Sequence, residues 1–195
     1  MILLVLFGVS SLSYAQVQLN CIYDFERFPD QIYRCNLLGL QMFNTNERII
    51  FGGQHRQGMN IMDVVKINIA NSNISFIMPE LFSTFPNTET IEIRRMILNH
   101  FIEPPRPIGV NKVTSVTLAN NQITTINAKV FNGLSNVIEL FLFTNSLTNI
   151  DENAFYGLEN VRLMHFVQSS IKILPSNIFH PLKSMKELFF FSNGI

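Results

Sequence analysis

Three consecutive stretches, Val113 to Asn136, Val137 to Asn160 and Val161 to Ser184, align without a gap, so the pattern returns every twenty-four positions. A unit this short cannot enclose a core of its own. Each copy buries an apolar face only against its neighbours, which restricts the chain to a stacked array. Apolar residues recur at positions 1, 4, 6, 11, 14, 19 and 22 of every copy. The first supplies Val113, Val116, Leu118, Ile123, Ile126, Phe131 and Leu134, and the second supplies Val137, Leu140, Leu142, Leu147, Ile150, Phe155 and Leu158. The third supplies Val161, Met164, Phe166, Ile171, Leu174, Phe179 and Leu182. Positions 4 and 6, separated by a more polar residue, alternate as a strand with one buried face does. The later half of each copy reads as loop or a short helical turn.

Position 9 is Asn121 and Asn145 in two copies, Ser169 in the third and Asn193 in an incomplete last one. Where a stacked chain turns out of its strand, a side-chain amide can satisfy backbone groups that neighbouring turns leave unpaired, and serine does this less completely. The frame extends backwards to a fourth copy with Val64, Ile67, Ile69, Ser72, Ile74, Ile77, Phe82 and Phe85 on corresponding positions. Between it and Val113 lies a degenerate copy, Thr88 to Lys112, in which Ile91, Ile93, Leu98 and Phe101 keep the frame. Its second half, Glu103-Pro104-Pro105-Arg106-Pro107, cannot form a regular helical turn and reads as a longer surface loop. These residues resemble the leucine-rich-repeat family from about Val64 onward. The resemblance implies an α/β solenoid shaped as a horseshoe, with a parallel sheet on the concave face and a mostly irregular convex side. It also implies a stacked column at position 19: Phe82, Phe131, Phe155 and Phe179.

The two ends depart from the repeat. Ile2 to Val9 form a short apolar run followed by Ser13-Tyr14-Ala15, the pattern of a secretory leader cleaved after Ala15. Residues 16–62 form the expected N-terminal cap, and 63–195 the repeats. Cys21 and Cys35, the only cysteines, follow the cleavage site and should pair in an oxidising compartment, pinning a hairpin or short strands over the first repeat. More narrowly, Cys21, Ile22 and Tyr23 with Tyr33, Arg34 and Cys35, then Gly53, His55, Gly58, Asp63-Val64 and Phe85-Pro86-Asn87, resemble secreted leucine-rich-repeat proteins of dipteran insects. That resemblance implies roles in innate immunity or matrix contact. At the far end the sequence stops at Ile195, position 11 of a repeat begun at Met185. This is expected to leave Leu188, Phe190 and Ile195 at an uncapped edge, through which homo- or hetero-oligomers could form.

Lysine plus arginine equals aspartate plus glutamate at 14 each, so no net field gathers nucleic acid or anionic lipid. The expected partner is an extracellular protein, with no nucleic acid and no membrane span in this chain. Positions 3, 5, 7 and 8 face solvent on the concave side. Early copies place polar and charged residues there, such as Lys66, Asn68, Glu92, Arg94, Ser115 and Thr117. Later copies place Phe141, Phe143, Leu163, His165, Val167, Phe189 and Phe191 side by side, which is the expected partner-binding patch. A further C-terminal segment or a second copy could cover the same rings instead. Asn73-Ile74-Ser75 is the one glycosylation sequon. His55, His100, His165 and His180 stand in unrelated parts of the pattern with no nucleophile or carboxylate set around them, so neither an enzyme nor a cofactor or metal is expected. The expected function is an extracellular protein-recognition module; the alternative is the N-terminal fragment of a leucine-rich-repeat receptor ectodomain.

Overall fold

The computed structural model describes residues 16–26, 31–41, 48–96, 100–104, 108–167 and 170–190. The expected leader at 1–15 lies outside the described residues, as do Leu98, Pro105 to Pro107, Ser169, Phe191, Asn193 and Ile195. Four strands precede the repeats: β1 (Gln16–Asn20), β2 (Ile22–Glu26), β3 (Ile32–Leu38) and β4 (Arg48–Gly52). The repeats then supply β5 (Lys66–Ala70), α1 (Glu80–Thr84), β6 (Thr90–Arg94), β7 (His100–Phe101), β8 (Ser115–Thr117), β9 (Thr125–Ile126), β10 (Glu139–Phe141), β11 (Asn149–Ile150), β12 (Leu163–His165) and β13 (Glu187–Phe189).

An eight-stranded sheet in the order β13-β12-β10-β8-β6-β5-β3-β2 forms the concave side, parallel throughout except where β2 returns antiparallel to β3. Glu139 pairs with Leu163 and Leu163 with Glu187, each one full period further along, so the repeat period is the register of the sheet. Thr90 pairs with Ser115, a period plus one position, and so does His100 with Thr125. The extra residue of the degenerate copy therefore falls between Phe101 and Ser115, a span with no strand among its described residues. On the opposite side the short strands β7, β9 and β11 form a second parallel sheet at positions 13 and 14, more regular than the loop expected there.

The apolar positions form one continuous core. All seven in the copies beginning at Val64, Val113 and Val137 are buried, as are Val161, Met164, Phe166, Ile171 and Leu182 in the next, where Leu174 and Phe179 are half-buried. At roughly 1.5–3 kcal/mol for each fully buried large side chain, these layers outweigh any single bridge or ion pair. The phenylalanine column differs from expectation by one member. It runs Phe101, Phe131, Phe155 and Phe179, with ring centroids 6.2, 6.3 and 6.4 Å apart. Position 19 of the degenerate copy is Arg106, so Phe101 from position 14 fills the layer below Phe131, while Phe82 is buried on α1. Gly133, at φ +91°, lets this copy close: a Cβ there would lie 2.8 Å from that of Ile108, the buried anchor of the proline-rich segment.

The cap is a hairpin pinned to the end of the stack. Cys21 and Cys35 are bridged with their Cα atoms 5.1 Å apart, and both are buried. β3 pairs in parallel with β5, Cys35 against Ile67 and Leu37 against Ile69, so the bridge and Leu37 form the first layer of the repeat core. β1 and β4 make a separate parallel pair, from which the Phe51 ring meets Phe85 at 5.6 Å. Gly53 takes φ +117°, and a Cβ there would collide with the Cys21 carbonyl, which explains a glycine at this point. Next to it His55 stacks on Tyr23 at 3.9 Å, with its Nδ1 3.0 Å from the Tyr33 hydroxyl. Burial and the neighbouring Tyr33 raise the ionisation of Tyr23 above the ordinary tyrosine range. His55 is thus a packing contact of the cap.

Candidate functional site

The side chain at position 9 controls how each strand is released. Asn145 Nδ2 donates to the Leu118 and Leu142 carbonyls at 2.8 and 2.9 Å, and its Oδ1 accepts from Ile123 N–H at 3.3 Å. Asn121 repeats this with Ile93, Leu118 and Met96. Ser72 reaches only Leu40 N–H and the Ala70 carbonyl, as a shorter side chain must. One residue earlier the backbone turns left-handed: Asn71, Arg95, Asn120 and Thr144 have φ of 51–56°. A second asparagine series, not anticipated from the sequence, lies at the end of three copies. Asn87 donates to Met62, Asn136 to Asn111 and Asn160 to Ser135 across adjacent turns. Aligned copies carry the signal for it, since Asn87, Asn136 and Asn160 share the last position of the repeat.

These devices hold positions 3, 5 and 7 of successive strands in rows on the concave face, and the rows differ between the two halves. In the N-terminal half the charges neutralise one another. Arg34 Nε bonds Asp24 at 2.6 Å, and Lys66 sits 2.9 Å from both Glu26 and Glu92, which also meets Arg94 at 3.3 Å. Asn36 joins the network to Asp24 and Asn68. The guanidinium hydrogen bond holds the Asp24 carboxyl below the usual carboxylate range, and that carboxylate in turn raises Arg34. The result is a surface whose carboxylates Asp24, Glu26 and Glu92 are all paired, while Arg94 Nε is left without a hydrogen-bond partner.

Beyond β8 the face becomes aromatic. Phe141, His165 and Phe189 occupy the same position on β10, β12 and β13, paired in register. The His165 ring lies 5.2 Å from Phe141 and 4.3 Å from Phe189. Phe143 adds edge contacts to Phe141 at 6.3 Å and His165 at 6.4 Å. Phe141, Phe143, Leu163, His165 and Val167 are half-buried and Phe189 is 37% exposed, so the rings shield one another yet still face solvent. The structure therefore brings six of the seven expected patch residues onto one surface; Phe191 lies outside the described residues. Glu139 and Glu187, at position 3 on β10 and β13, flank Leu163 beside this row, and the run of apolar side chains in the later copies gives no signal for them.

Asn73 is elsewhere. It is half-buried in the turn after β5, its N–H donating to the Leu40 carbonyl and its Oδ1 enclosed. His55, His100 and His180 lie in the cap, on β7 and on the convex turns, apart from His165. Among the described residues no group of three histidine, cysteine or acidic side chains is arranged to hold a metal ion, and no helix is long and apolar enough to cross a membrane.

Residues 111–167 match the family model described as Leucine rich repeat. With the sheet register set by the repeat, the position-9 ladder and the phenylalanine column, the chain has the fold of a leucine-rich-repeat solenoid, with a disulfide-bridged N-terminal hairpin. A solved structure of a TLR13-ssRNA13 complex is similar over 68% of this chain, at 18% sequence identity and a TM-score of 0.46, and the chain spans 25% of that structure's length. Among curated proteins none matches.

Proposed function

We propose that this chain is an extracellular recognition module that binds a protein partner on its concave face. The observation that carries the reading is the unbroken run of ring contacts from Phe143 through Phe141 and His165 to Phe189, on the solvent side of three adjacent strands. Exposed aromatic clusters lower solubility, and aromatic anchors dominate protein interfaces. Leu163 and Val167 complete the surface in this reading. Stacked repeats supply the rigid curved support that such a site needs.

An extracellular setting is supported by the buried Cys21–Cys35 bridge, since such bridges persist in oxidising compartments, and by the leader pattern at 1–15. In this setting Asn73 carries a glycan, which glycosidase treatment of the secreted chain would reveal as a loss of mass. Innate immunity and matrix contact are the processes in which the module would act. The direct test is affinity capture from extracellular fluid, comparing the wild-type chain with a Phe141→Ser, Phe143→Ser, Phe189→Ser variant whose fold has been verified by circular dichroism. A protein captured by the wild type and lost with the variant supports the concave site; equal capture by both removes it.

A further inference from the structure

At the solvent-facing strand positions, charge on the aromatic half of the concave face has one sign. At positions 3, 5, 7 and 8 from Ser115 onward, Glu139 and Glu187 are the only carboxylates or ammonium and guanidinium groups among the described residues. Neither joins the ion pairs found among those residues, whereas in the N-terminal half every carboxylate of the face, Asp24, Glu26 and Glu92, is paired with Arg34, Lys66 or Arg94. One position before Leu163 and Glu187, at position 2, Arg162 and Lys186 are both exposed and join none of those ion pairs. Arg162 stands at the flank of the face, where it lines a groove with Asn136, Ile138 and Asn160.

Glu139, Leu163 and Glu187 form one row and Phe141, His165 and Phe189 the row beside it, both fixed by strand register. Strands are about 4.8 Å apart, so the two carboxylates stand roughly 10 Å from each other across Leu163. A partner that covers the rings also takes water from these carboxylates, which is costly unless it brings a cation to them. Ring faces attract cations too, and a guanidinium can lie flat on a ring while bonding a carboxylate.

We propose that the concave patch takes a protein segment that carries an arginine or lysine beside apolar side chains, with the cation over the Phe141–His165–Phe189 row between Glu139 and Glu187. This rests on the concave-site reading above and names the chemistry of its partner. An acidic segment would meet two uncompensated carboxylates, and a wholly apolar one would bury them unpaired.

The test uses random peptides displayed on phage, selected on the wild-type chain and counter-selected on a Phe141→Ser, Phe143→Ser variant. The expected peptides carry arginine or lysine next to aromatic or aliphatic residues. Synthetic copies should bind Glu139→Gln, Glu187→Gln at least about ten-fold more weakly than wild type, as loss of a charge-assisted contact implies. Peptides that need Phe141 and Phe143 but carry no basic residue, and bind the glutamine variant equally well, would overturn the partner class and leave the concave site standing. Selection of no peptide, or only of peptides that bind the serine variant equally, would overturn both.

Discussion

Asn145 and Asn160 look alike in the sequence and do unequal work. Asn145 is buried and satisfies three backbone groups from two turns, whereas Asn160 makes one exposed bond to the Ser135 carbonyl. Orphaning a buried polar group costs about 1–3 kcal/mol. Asn145→Ala should therefore lower unfolding stability by at least about 2 kcal/mol, and Asn160→Ala by under about 1 kcal/mol; urea titration of both separates them. Thr144 is the counterpart in which the local sequence opposes the fold. It holds φ 55°, a left-handed conformation unfavourable for a β-branched side chain, where the two copies with Asn71 and Asn120 use asparagine. Thr144→Asn should raise the melting temperature, by the equivalent of about 1 kcal/mol. An unchanged or lower value would show that the threonine side chain contributes more than its conformation costs.

The strands of the concave sheet were legible because their buried residues recur at a fixed spacing that becomes the sheet register. β3 was legible as a strand of the bridged hairpin but not as a member of the concave sheet, although Cys35 and Leu37 occupy the places of Ile67 and Ile69. Arg34 pairs with Lys66, well over one period away, so a search at the repeat spacing passes over it, and the antiparallel return of β2 has no counterpart in the repeats. The same limit applies to the aromatic column: spacing put Phe82 first in it, but the ring next to Phe131 is Phe101, from position 14 of a copy whose position 19 is arginine. On the concave face the aromatic half was readable from positions 5 and 7, whereas the mutual cancellation of charges around Lys66 depends on distances no spacing gives. That network also sets a pH response. The folded Asp24 carboxyl titrates below its unfolded value, so its contribution to stability is complete above about pH 4 and is lost as pH falls through the folded value. Hydrogen exchange of β2 and β3 should accelerate relative to β10 as the pH falls from about 5 to about 3. Asp24→Asn should flatten the response by being weaker already at neutral pH; an identical profile in the variant would assign the acid sensitivity to another group.

Taken whole, the molecule is a stack in which each turn is supported by its neighbours, with a bridged hairpin at one end and an aromatic surface towards the other. The charged network and the aromatic rows share one rigid sheet, so replacing residues in one should leave the other's geometry intact. Binding can therefore be assigned to one half by substitution. The decisive measurement is the dissociation constant of the captured partner for three chains: wild type, Phe141→Ser with Phe143→Ser and Phe189→Ser, and Glu92→Gln with Arg94→Gln. If the partner docks on the aromatic rows, the first variant should bind at least about 30-fold more weakly, the loss of one strong anchor or more, and the second within about three-fold of wild type. The reverse order, with the charged variant impaired and the aromatic one unaffected, would contradict the assignment of the binding site to Phe141, Phe143, His165 and Phe189.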